Sequence, residues 1–238
     1  MDTKTYAFVS KIPGWLTKHE GQFLEKAARS VKHIDGEIVE IGSYCGKSTI
    51  WLARESSAVY AVDPHKGEVS GGKTAPTLPA FLRNLEIAGV RDKVIPIVKT
   101  SKTAVREWHK PIALLFIDGL HDYEHALEDM SFWSRFVVSG GIVAMHDAFC
   151  GWIGAGDIAM RHIVRSPDYS EIGVVGSIIY GKKGKQTLFT RICNFHSQFV
   201  IQVSQNLYRS RFVPKFVAFF LAHRLLRILL INRYTSLP

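Results

Sequence analysis

Short apolar runs alternate with segments whose apolar positions recur every three to four residues. Phe23, Leu24, Ala27, Ala28 and Val31 fall on one helical face and predict a helix over residues 20–34. An Asp35-Gly36 turn leads into the apolar run 37–42, a buried strand. The pattern then predicts a helix over 48–56, a strand over 58–62 and a loop over 64–79 rich in Gly, Lys, Thr and Pro. That loop, with Lys66, Lys73 and Thr74, is suited to close over a site and exclude water. A helix follows at 80–88, then a strand at 94–98, a helix at 103–108, a strand at 112–117 and a helix at 123–135. Gly140-Gly141 opens a fifth strand, 142–145. Residues 173–180 and 186–192 read as a closing antiparallel pair joined by a Gly/Lys turn.

Strands alternating with helices predict right-handed βαβ units and a doubly wound, mostly parallel α/β sheet covered on both faces. Ligands of such sheets bind beyond the carboxyl ends of the strands, near the point where strand order reverses. Polar residues collect at those ends: Gly42, Asp63, Thr100 and Ser101, Asp118, His146 and Asp147.

Composition changes this picture in two places. The three cysteines, Cys45, Cys150 and Cys193, are far apart and odd in number, which excludes a disulfide framework and a zinc pattern. The first residues carry no apolar core of a signal peptide, so a cytoplasmic location is expected. The net charge of +9 is uneven: residues 172–238 hold 10 Lys/Arg and no Asp or Glu. The basic balance therefore describes the partner of the last quarter and not the substrate of the main domain.

The loop after the first strand, Glu40-Ile-Gly42-Ser43-Tyr-Cys-Gly46-Lys-Ser48-Thr49, carries the most chemistry. Glycine at the strand end allows a tight turn and close approach of backbone to ligand. The next helix offers free N–H groups to an anionic group. Three readings compete. A phosphate-binding P-loop needs one residue more between its glycines. The dinucleotide fingerprint needs a third glycine. An acid-x-Gly-x-x-x-Gly loop instead puts Glu40 upstream of the turn, where an anion can hold a cationic ligand. Asp63, 23 residues further on, ends the second strand where a carboxylate can accept from a ribose diol.

Four segments carry a family likeness: Val39-Glu-Ile-Gly-Ser-Tyr-Cys-Gly-Lys-Ser-Thr49, Ala61-Val-Asp-Pro-His65, Phe116-Ile-Asp-Gly-Leu-His-Asp-Tyr-Glu124 and Gly140-Gly-Ile-Val-Ala-Met-His-Asp147. In these the chain resembles the macrocin O-methyltransferase-like group of class I methyltransferases, which includes the cephalosporin-hydroxylase-like sequences. The resemblance implies a seven-stranded Rossmann-like methyltransferase fold and S-adenosylmethionine as cofactor. It places Glu40, Gly42, Ser43, Gly46, Ser48, Asp63, Ser101 and Asp118 on that cofactor. It makes Asp118 and Asp147 ligands of a divalent metal such as Mg²⁺, a hard cation that oxygen donors suit. It matches His121 to a base, a role an imidazole can fill near neutral pH. Two departures stand out. Asp147 is followed by Ala148 where catechol enzymes carry Asn, and His146 stands where sugar enzymes tend to carry an acid. The third metal ligand is thus open between His146 and Asp122, and a metal-free site with His121 or His146 as base is an alternative. Asp122 also suits the N-cap of the helix from Tyr123.

Beyond the resemblance, residues 194–238 are expected to form a separate basic amphipathic helical tail after a methyltransferase domain over 1–193. Its segment 215–231 is strongly apolar, with His223, Arg224 and Arg227 on one side. Such a helix suits the cytoplasmic face of an anionic membrane. Packing on its own domain or on a homodimer partner is the alternative, and an apolar face has no use on a nucleic-acid backbone. The expected activity is O-methylation of a sugar or glycan hydroxyl, with a lipid-linked acceptor suggested by the tail. The alternatives are an RNA or small-phenol methyltransferase, or a binding protein that keeps the fold without catalysis.

Overall fold

A computed structural model describes residues 2–67, 76–149 and 153–209. Lys73 and Thr74 of the expected closing loop, and the expected tail helix over 215–231, lie outside the described residues.

Four apolar runs become the parallel strands β1 (Glu37–Ile41), β2 (Val59–Val62), β3 (Val94–Ile97) and β4 (Ile112–Ile117). All six residues of β4 are buried, as expected of a strand covered on both faces. Three further strands, β5 (Val137–Met145), β6 (Tyr169–Val175) and β7 (Ile178–Lys183), complete a seven-stranded sheet in the order β3-β2-β1-β4-β5-β7-β6. Only β7 runs against its neighbours β5 and β6. The order reverses between β1 and β4, so the crevice lies beyond Ile41 and Ile117.

Helices cover both faces. On one lie α1 (Thr3–Val9), α2 (Lys18–Ser30), α3 (Lys47–Arg54) and α4 (Leu78–Ile87), which bury Val9, Phe23, Leu24, Ile50, Trp51, Phe81 and Leu85. On the other lie α5 (Ser101–Ala104), α6 (Tyr123–Trp133), α7 (Ile153–Ala159) and α8 (Leu188–Arg209). These pack Ala104, Met130, Trp133, Ile158, Val200 and Ile201 against the sheet. The helix expected from residue 20 starts two residues earlier. Thr17 is its N-cap, and Glu20 closes a capping box by accepting from the Thr17 N–H at 2.7 Å.

The carboxyl-terminal third corrects the sequence reading. β5 starts at Val137, before Gly140-Gly141, because a bulge there lets Ile142 follow Val137 in the pairing with β4. The closing hairpin turns at Gly176-Ser177, so the expected strands 173–180 and 186–192 are displaced. The second is replaced by the first turn of α8, where the Thr187 hydroxyl accepts from the Thr190 N–H at 3.2 Å. Neither α1 nor α7 was signalled; Gly154 and Gly156 give α7 a low intrinsic helix propensity. Residue 193, the expected domain division, falls inside α8. That helix is tied to the sheet domain through Asn194 to the Tyr169 carbonyl, Gln198 to that of Val164 and Gln205 to that of Ala148. Among the described residues no helix is long and apolar enough to cross a membrane.

Helices α2 and α3 approach closely because Gly21 faces the Trp51 indole, which a Cβ at Gly21 would overlap. Alanine in a helix interior normally stabilises by about 1 kcal/mol over glycine. Gly21→Ala should instead destabilise, because overpacking costs about 1–3 kcal/mol. Thermal melting checks this: a lower Tm is expected, and a higher one contradicts the packing.

Candidate active site

The turn leaving β1 is fixed by three strands at once. The Gly42 N–H donates to the Val62 carbonyl at 2.8 Å, and the Asp118 N–H donates to the Ile41 carbonyl at 2.8 Å. Gly42 has φ +88°, and a Cβ there would strike the Asp118 carbonyl oxygen. Only glycine satisfies both demands. Gly46, with φ +87°, is the N-cap of α3 and brings no capping side chain, which leaves that helix start open to a ligand.

Glu40 is fully buried below this turn and accepts from the Thr49 hydroxyl at 2.5 Å. Burial pushes its carboxyl up to about 8, against the hydroxyls of Ser48 and Thr49, and the charges of Asp118 and Asp63 add to the rise. Its Oε1 and the buried Ser43 Oγ have no hydrogen-bond partner. Orphaned buried polar atoms are costly, and these two sit on either side of the glycine turn.

Asp63, after β2, spans two loops. Its Oδ2 accepts from the Tyr44 N–H at 2.7 Å and its Oδ1 from the His65 N–H at 2.6 Å. Each oxygen keeps a second acceptor site. His65 is buried, with Nδ1 2.9 Å from Thr77 Oγ1 and its ring against Phe81, and burial lowers its pKa. Among the described residues the non-glycine positive-φ positions are Tyr44, His65 and Asp147. All three follow strands β1, β2 and β5 on the same edge of the sheet. Strain of this kind concentrates at functional sites.

The ends of β4 and β5 bring Asp118, His121, His146 and Asp147 together. His146 Nδ1 lies 2.9 Å from Asp118 Oδ1 and 3.7 Å from Asp147 Oδ2. His121 Nε2 lies 3.5 Å from Asp147 Oδ2 and 4.0 Å from Asp118 Oδ1. His121 is partly exposed, whereas the His146 side chain is 3% exposed. His146 therefore stands behind Asp118, buried and within hydrogen-bond distance of its carboxylate. Burial opposes its protonation, but Asp118, Glu20 and Asp147 outweigh burial and raise its pKa well above 6.5.

Glu20 is a residue the sequence did not mark as part of this centre. Its Oε2 is 3.7 Å from His146 Nε2. Its Oε1 accepts from the Ser177 N–H at 2.7 Å and from the Ser177 hydroxyl at 2.9 Å. The Ser177 carbonyl in turn accepts from the N–H groups of Ala148 and Phe149, just past Asp147. Burial would raise the Glu20 pKa, yet His146, the Ser177 N–H and Thr17 bring it down to about 2. The Thr17-x-x-Glu20 spacing signals a helix start and says nothing of these distant partners.

Other expected positions are otherwise occupied. Ser101 begins α5 and accepts from the Trp133 indole at 2.8 Å. It also faces Asp129, whose carboxyl burial raises to about 6 against the Ser101 hydroxyl. Asp122 caps α6, accepting from the His125 N–H at 3.1 Å, and its two oxygens lie 3.0 and 2.8 Å from His125 Nδ1. Lys66 is exposed. Asp118 and Asp147, the expected Mg²⁺ ligands, do converge, but across imidazole rings. Among the described residues no group of three His, Cys, Asp or Glu is arranged to hold a metal ion. His146 Nδ1 lies within 3.7 Å of both carboxylates and already gives them a partner. No step below passes through a metal.

Residues 39–148 match a family model described as a methyltransferase domain. Solved structures with the same fold include the O-methyltransferase from Bacillus cereus in complex with SAH, at 20% identity and a TM-score of 0.57, over 77% of this chain and 92% of that one. The O-methyltransferase TomG from Streptomyces achromogenes, in complex with SAM, matches at 17% identity and a TM-score of 0.55, over 76% of this chain and 87% of that one. The TDP-rhamnose 3'-O-methyltransferase of calicheamicin biosynthesis matches at 20% identity and a TM-score of 0.53, over 78% and 88%. At these identities the structural likeness establishes the fold. The family match runs from β1 through β5 and takes in the strand ends on which the glycine turn, Asp63, Asp118 and the two histidines stand, so the likeness to a methyltransferase domain covers the whole candidate site.

Proposed function

We propose that this chain is a methyltransferase that takes its methyl group from S-adenosylmethionine and places it on a hydroxyl of a sugar or glycan, with His121 as the base. The observation that carries the reading is the convergence of Asp118, His121, His146 and Asp147 beside the glycine turn, at the reversal of strand order. The residues of the turn fit the cofactor. Glu40 Oε1 and Ser43 Oγ are buried without partners, and the backbone at Gly42 and Gly46 leaves room for close approach. Glu40 and Ser43 would hold the amino-acid arm, and Asp63 the ribose diol.

The cofactor supplies an electrophilic methyl on a sulfonium, so the chain's task is to bring a hydroxyl in line and accept its proton. His121 is the partly exposed imidazole of the cluster and takes that proton as the C–O bond forms and the S–C bond breaks. Asp147 Oδ2, 3.5 Å from His121 Nε2, is placed to orient the ring. His146 holds Asp118 from behind, and Glu20 holds His146. The sugar acceptor rests on the likeness of Asp118 through Glu124, and of Gly140 through Asp147, to the macrocin O-methyltransferase-like group. The likeness to a TDP-rhamnose 3'-O-methyltransferase supports it as well.

Two predictions follow from this site. His121→Ala should lower kcat for methylation of a sugar or glycan acceptor by about 10²–10⁴-fold, while leaving cofactor affinity unchanged, and EDTA should leave the wild-type rate intact. Mass spectrometry of the acceptor reads the gain of one CH₂. A wild-type rate in His121→Ala removes it as the base, loss of activity in EDTA restores the metal, and methylation of RNA or a phenol alone replaces the acceptor class. The second concerns Glu40. Its pKa is raised from 4.5 to about 8 on folding. Its contribution to stability is therefore complete below the unfolded value and lost as pH rises through the folded one. Glu40→Gln should flatten the fall of Tm between roughly pH 5 and pH 8; an unchanged slope contradicts the buried neutral carboxyl.

A further inference from the structure

Helix α8 is amphipathic in the reverse sense. Its buried side carries Asn194, Ser197, Ser204 and Gln205 beside Val200 and Ile201. Its exposed side carries Leu188, Phe189, Ile192, Phe195 and Phe199, each between 63% and 77% exposed. At roughly 100° per residue, positions 188, 192, 195 and 199 fall on one narrow stripe, with residue 189 at its margin. Apolar side chains gathered this way mark an interaction surface.

The charge around the stripe points to its partner. Lys182, Lys183 and Lys185 lead into α8, and Arg191 is exposed at its flank. From residue 172 to the end of the chain there is no Asp or Glu. The residues after Arg209 add Arg211, Lys215, Arg224, Arg227 and Arg233 among many apolar ones. A stripe of Phe, Leu and Ile bordered by cations and free of acids is complementary to an anionic lipid headgroup layer over acyl chains. We propose that α8 lies in the plane of an anionic membrane surface, with Leu188, Ile192, Phe195 and Phe199 inserted and the neighbouring cations on the headgroups. On its other side α8 reaches the site, since Gln205 donates to the Ala148 carbonyl next to Asp147. Docking through this face holds the acid–imidazole cluster close to the lipid surface.

The test is co-sedimentation of the full chain with phosphatidylcholine vesicles, with and without phosphatidylglycerol. Wild type should pellet with the phosphatidylglycerol vesicles and stay in solution with phosphatidylcholine alone. Ile192→Ser with Phe195→Ser and Phe199→Ser should weaken the partition at least about tenfold, without lowering Tm, because these side chains are exposed. Lys185→Glu with Arg191→Glu should weaken it too. Partition of the triple variant within about twofold of wild type overturns the proposal. So does a wild type that stays in solution with both vesicles. In that case a changed elution volume of the triple variant would assign the face to a second copy of the chain, and a lowered Tm to residues 210–238.

Discussion

The close approach of Gly42 to the Asp118 carbonyl oxygen is the contact on which the rest of the site depends. It joins the end of β1 to the end of β4, and the Gly42 N–H adds the end of β2. A side chain at this point would push the two loops apart. The crevice at the reversal of strand order therefore exists because one position carries no Cβ. Glu40, Ser43 and Asp63 then stand on one side of that contact and the acid–imidazole cluster on the other.

The second half of the site is an arrangement of charge. Asp118 and Asp147 face each other at the crevice, and His146, buried behind them, supplies the positive charge that lets them stay close. Glu20 then balances His146 from the far side and ties it to the β6–β7 turn through Ser177. Two distant segments of the chain, residues 17–20 and 176–177, thereby set the loop that carries Asp147. A carboxylate–imidazole–carboxylate chain of this kind fixes geometry at a position where a mobile water or ion would not.

How much of this was legible in the sequence depends on whether the cause is local. The strands from Glu37 to Ile117 are apolar runs ended by Gly, Asp or Thr, and the fold places them where the pattern does. Glu40, Gly42, Asp63, Asp118, His121 and Asp147 lie within a few residues of those ends, so their convergence could be read. The role of Glu20 could not, because its partners are 126 and 157 residues away along the chain. The closing hairpin was misplaced because residues 169–192 hold apolar positions that suit either strand register, and the turn at Gly176-Ser177 decides between them. Helix α8 was read only in part, because residues 194–209 fall in the expected helical tail while its start was taken as strand. Its apolar stripe faces outward, whereas periodicity is normally read with the apolar side inward.

A calorimetric titration of the full chain with S-adenosylmethionine tests the central claim most directly. One saturable site is predicted for the wild type, weakened roughly 10- to 100-fold by Asp63→Ala, the loss expected when hydrogen bonds to a charged acceptor are removed. No binding, or equal affinity in the two proteins, would contradict a cofactor seated between the glycine turn and the end of β2.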